Sequence, residues 1–180
     1  RYDRDVKSFD QAWRFVMPQR HEPVALILTR QAMPTLDRSR YAAAAGLARG
    51  AYILADCEGG APEVILIGTG SEVAICAAAH EELAAQGVRS RVVSMPSWEI
   101  FERQPQEYRD AVLPPSVEAR VSVEMGSTLG WRQYVCPRGR TIGMKSFGAS
   151  APLSALLKHF GFTRENVVSA ATYPCILLVV

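Results

Sequence analysis

Short apolar runs of strand length recur along the chain, separated by stretches whose apolar positions fall at helical spacing. The first run, Val24 to Leu28, is continuously apolar, as expected of a parallel strand covered on both faces. Before it, Arg1 to Asp10 is charged and aperiodic and reads as a frayed entry. Asp10 is placed to cap a short helix through Trp13, Phe15 and Val16 that stops at Pro18. After the run, Ala32 to Ser39 has no apolar period and reads as a linker, followed by a short helix in "YAAAAGLARG" closed by Gly50.

From Ala51 the alternation becomes regular. Ala51 to Leu54 and Val64 to Ile67 are predicted strands, and the Gly-rich turn from Glu58 to Pro62 predicts an antiparallel pair with one member at a sheet edge. Thr69, Gly70, Ser71 and Glu72 spell a capping box. Val73, Cys76, Ala77, His80 and Leu83 or Ala84 then mark one helix face, ended by Gly87. Further strands are predicted at Ser90 to Met95, Glu118 to Met125 and Arg140 to Lys145, with short helical pieces in "SWEIFERQ" and "QEYRDAVLP". Ser150 is placed to cap a helix carrying Leu153, Leu156, Leu157 and Phe160 up to Gly161, and Thr163 starts a last one through Val167 and Val168. Strands alternating with helices define an α/β fold with a mostly parallel sheet. From Thr172 the apolar, uncharged "TYPCILLVV" departs from that pattern and reads as an atypical tail.

Composition changes this picture little. Hydrophobic content of 48%, charged content of 21% and a net charge of +2 suit an ordinary globular chain and imply no nucleic-acid or membrane partner. The cysteines at 57, 76, 136 and 175 show neither C-x-x-C nor zinc spacing, and Cys76 falls within a helical pattern as a buried thiol. No apolar run reaches spanning length and no signal-peptide pattern is visible, so a cytoplasmic location is expected. The first residue is Arg1 rather than Met, which suggests a piece of a longer chain.

Candidate chemistry is sparse. Gly68-Thr69-Gly70 follows a strand and opens a helix, but a third glycine is missing and Glu72 would repel a phosphate, so capping is favoured over anion binding. His80 on the apolar face suits a satisfied core imidazole, while His21 stands in a turn and His159 near a helix end. Glu124, at a strand end, is the best acidic candidate, with a salt bridge as its ordinary role. Arg30 lies just past a strand end, where ligands gather in open α/β sheets. Its guanidinium could grip a phosphate bidentately or simply pair with a carboxylate. No complete catalytic set is visible.

The strings "EPVALILTRQAMPTLDRSR", "VILIGTGSEV", "VVSMPSWEIFERQ", "ARVSVEMG" and "KSFGASAPLSALLKHFGFTRENVV" resemble the C-terminal part of transketolases, in order and at the family's spacing, from about Gln11 to Ala171. The resemblance implies the end of a pyrimidine-binding domain at residues 1–31, a linker at 32–40, and a C-terminal domain at 41–171 ahead of the 172–180 tail. It implies a three-layer, mostly parallel five-stranded sheet with one antiparallel edge. It implies ketol transfer between sugar phosphates, in the pentose phosphate pathway or Calvin cycle, by a homodimer using thiamine diphosphate and Mg2+ or Ca2+. On it, Arg30 contacts the substrate phosphate. The cofactor, metal and catalytic residues of the family lie outside the matching region, so none is expected in this chain and the fragment alone should be inactive. Two alternatives are a non-enzymatic assembly or ligand-sensing module and one chain of a split enzyme.

Overall fold

A computed structural model of the chain describes residues 6–29 and 31–172. Its centre is a five-stranded sheet in the order β1-β3-β2-β4-β5. The strands are β1 (Tyr52–Ala55), β2 (Val64–Gly68), β3 (Ser90–Ser94), β4 (Arg120–Ser127) and β5 (Arg140–Met144). The pairs β2–β3, β2–β4 and β4–β5 are parallel, while β1 runs antiparallel to β3 at one edge. The α/β class and the antiparallel edge are as expected, but the predicted hairpin is not formed. The chain leaves β1 along the sheet and enters β2 one strand further in, so β3 lies between them. A glycine turn permits a hairpin without specifying one; β3, buried along its length, competes successfully for the β1 edge.

The central strands explain their own composition. In β2, Val64 and Leu66 enter one core while Ile65 and Ile67 enter the other, so a continuous apolar run is what two covered faces require. Helices α2 (Glu72–Ala85) and α7 (Arg164–Thr172) cover the first face. The second face is covered by α3 (Trp98–Glu102), α4 (Gln106–Val112) and α5 (Arg132–Val135), with Phe101, Val112, Trp131 and Tyr134 in its core. Helix α6 (Leu153–Phe160) lies outermost, with Leu157 and Phe160 packed partly against the first core.

Two buried arginines are paired with backbone. The Arg120 guanidinium, on the α4/α5 side, donates to the carbonyls of Val117, Tyr134, Leu113 and Pro114. One side chain thus ties together the backbone around β4, supplying donors to carbonyls in the turn before it and in α5. Arg91 likewise binds Asp56 at 2.7 Å and the Ala111 carbonyl, tying the β1 end to α4.

The N-terminal part departs most from expectation. Helix α1 spans Val6–Val16, so Asp10 lies inside it and pairs with Arg14 at 2.8 Å instead of capping. Val24 to Leu28 is not a strand: only Leu28 makes a single bridge pair, and Ile27 is 61% exposed. An apolar run becomes a strand only against a ladder partner, and none of the five strands pairs with it. The segment 31–43 is irregular and leads into a short 3-10 helix at Ala44–Arg49 closed by Gly50. It is anchored by Tyr41, whose hydroxyl donates to Glu81 on α2 at 2.8 Å; burial, then that carboxylate, push the phenol up to about 12.

Two predicted caps also differ. Helix α6 enters through Pro152 rather than Ser150. The capping box at α2 does not close: Ser71 occupies the cap position without a side-chain bond to the helix amides. Glu72, fully buried, instead accepts the Met125 amide at 3.1 Å and the Ser71 hydroxyl. Burial next to β4 offers the carboxylate a backbone donor that the local motif lacks. At α7 the expected start holds, with the Thr163 hydroxyl accepting the Asn166 amide at 3.3 Å.

Candidate functional site

The connection after β2 runs to α2 on one face, and the connection after β4 runs to α5 on the other. Between two neighbouring strands whose exits diverge, the carboxyl edge of a sheet must open into a crevice. A cleft of about 560 Å³ lies there. Thr69 enters it directly after β2, Met95 to Glu99 line it after β3, and Glu124 reaches it from β4. The N-terminal segment supplies further wall through Phe15, Gln19, Glu22 to Ala25, and Ile27. Glu22 also forms a forked ion pair with Arg103, at 3.0 Å for its shortest contact, across the junction between that segment and the end of α3.

Several wall residues are held by specific partners. The Ser97 hydroxyl accepts the Ile100 amide at 3.3 Å and caps α3, fixing the turn that carries Trp98 and Glu99. Ser97 also donates to Glu99 at 2.8 Å; that bond, behind a larger contribution from the residue's own amide, holds the Glu99 carboxyl below its usual value. Trp98 stands edge-on to the fully buried Trp131, with ring centroids 5.0 Å apart. The Trp131 ring N–H in turn donates to Glu124 Oε2 at 2.8 Å. Thr69 is only 5% exposed, and its hydroxyl has no hydrogen-bond partner among the described residues.

The residues singled out from sequence are therefore partly assembled and partly scattered. Glu124 does lie at the carboxyl edge, but its partner is an indole N–H instead of the cation of a salt bridge. Thr69 joins it in the cleft, although the sequence pattern marks it as a cap. His80 is far from both: it is half-buried on α2 with Nδ1 2.7 Å from the Ser90 hydroxyl, as a satisfied core imidazole should be. His21 and His159 are exposed, and Cys76 is buried as expected. Arg30 and residues 173–180 of the tail lie outside the described residues. The pattern gave no sign of Trp98, Glu99 or the Glu22–Arg103 pair; the only available signal was that residues just beyond strands tend to meet.

An open, doubly wound α/β domain with a polar crevice at its switch point is a common chassis for ligand binding, and by itself names no chemistry. Comparison with known proteins narrows it: residues 50–163 match the family model for the transketolase-like C-terminal domain. The chain is 46% identical over 164 residues to the transketolase of Geobacillus stearothermophilus, covering 91% of this chain and 25% of that protein. The structure of transketolase from Leishmania mexicana superposes with a TM-score of 0.88 at 34% identity, covering 99% of this chain and 25% of the other. A Pichia stipitis transketolase solved in complex with sedoheptulose 7-phosphate gives 0.84 at 32%, over 95% and 24%. The chain belongs to the transketolase family, and spans about a quarter of the length of the curated relatives it matches.

Proposed function

We propose that this chain is the C-terminal part of a transketolase, an enzyme that moves a two-carbon ketol unit from a ketose phosphate to an aldose phosphate. The observation that carries the reading is the 46% identity sustained over 91% of the chain. The Pichia stipitis relative was solved with a sugar phosphate, which supports that substrate class here. We further propose that the intact enzyme is a cytoplasmic homodimer. No helix among the described residues is long and apolar enough to cross a membrane.

Family membership implies thiamine diphosphate with a divalent ion, which would supply carbanion stabilisation to the reaction. The described residues do not fit that group. No three His, Cys, Asp or Glu side chains among them converge to hold a metal, and the carboxylates of the cleft oppose a diphosphate. No step is therefore routed through the cofactor on this chain, and catalysis is assigned to the remainder of the enzyme.

Arg30 is proposed as a bidentate grip on the substrate phosphate. In the whole enzyme, Arg30→Ala should lower kcat/KM for ketose phosphates by roughly ten- to a hundred-and-fifty-fold, the equivalent of about 1.5–3 kcal/mol for a lost charge-assisted bond. Turnover of an unphosphorylated hydroxyketo acid should hardly change, and Arg30→Lys should recover part of the loss. Equal damage to both donors would show that Arg30 has a structural task instead.

A further inference from the structure

Ketol transfer on this reading leaves the switch-point cleft without a task, yet its lining is built and selective. Among the described residues, Glu22, Glu99 and Glu124 line it together with Arg103, which is already committed to Glu22. Of the Glu124 carboxylate, Oε2 is taken by Trp131 while Oε1 has no partner among the described residues. Thr69, 5% exposed as a residue, lines the same space, and its hydroxyl is likewise unpartnered there. With no bond inside the fold, that hydroxyl is available to a polar atom of a molecule held in the crevice. Trp98 adds an aromatic surface, which attracts positive charge through its ring quadrupole.

We propose that this cleft binds a small organic amine in its ammonium form, with the N–H groups shared between Glu124 Oε1 and the Thr69 hydroxyl and the apolar body against Trp98. The carboxylates among the described lining residues favour a cation over an anion. The volume of about 560 Å³ is in the range of small-molecule sites. The proposal goes beyond the ketol-transfer reading and does not depend on it.

The test is calorimetric titration of the full 180-residue chain with benzylammonium, benzyl alcohol and benzoate, three probes of similar shape and different charge. Saturable binding is expected for benzylammonium, with the alcohol and the acid at least about tenfold weaker. Glu124→Gln keeps an acceptor for Trp131 and should weaken the ammonium about tenfold or more. Thr69→Val preserves shape and should weaken it several-fold, with unchanged circular dichroism confirming the fold of both variants. Glu99→Gln, at a more exposed site that does not hold Trp131, provides a second charge deletion should Glu124→Gln unfold. The proposal is overturned if benzylammonium gives no saturable heat at millimolar concentration, if benzoate binds as well, or if the charge deletion and Thr69→Val both leave its affinity intact.

Discussion

His80 shows how a single side chain reports its surroundings. Its imidazole is half-buried between α2 and β3, and burial, outweighing the raising effects of Glu81, Asp56 and the Ser90 backbone, lowers its proton affinity below the usual value. The unfolded chain therefore takes up this proton at a higher pH than the folded one, so stability is present above about pH 6.5 and declines as pH falls toward the folded value. The urea midpoint of the chain should fall between pH 7.5 and 5.5, and His80→Gln should remove that part of the slope. A variant with the same slope as the parent would place the titrating group elsewhere. Glu72 and Arg120 make the complementary point: both are ionisable and buried, and both bond to backbone groups outside their own elements.

Among the elements, the start of α3 decides the shape of the cleft, and Gly50 decides where α3 starts. Gly50 has φ +80°, its carbonyl accepts the Ser97 amide at 3.0 Å, and a Cβ at this position would overlap the Phe101 amide and the Ser97 carbonyl. Gly59 has nearly the same φ, +79°, with nothing within 4 Å of such a Cβ. The pair separates backbone strain from close approach. Gly59→Ala should cost about 1 kcal/mol through φ alone, whereas Gly50→Ala should cost about 3 kcal/mol or more once overpacking is added. Denaturant unfolding of the two variants measures both; equal losses would mean that α3 yields without cost.

For the whole molecule, described residues of this chain form two cores and the carboxyl-edge cleft, while no diphosphate–metal site is assembled from them. Titration with thiamine diphosphate and Mg2+ should therefore give no saturable heat at micromolar cofactor. Saturable heat would give this chain a cofactor site of its own and reassign the chemistry.

The sequence by itself determined the α/β class and most elements of the sheet domain: the β2 and β3 runs, the α2 face and the glycine stops follow from neighbours a few residues apart. Family membership was legible too, because the motifs are local strings. Only the tertiary structure decided that β1 pairs with β3, that Val24 to Leu28 is no strand, and that Glu72 binds Met125, 53 residues away. It alone brought Thr69, Trp98 and Glu124 to one crevice. The physical reason is range: helical period and turn chemistry act between near neighbours, whereas ladder partners and buried carboxylate donors come from wherever the topology places them.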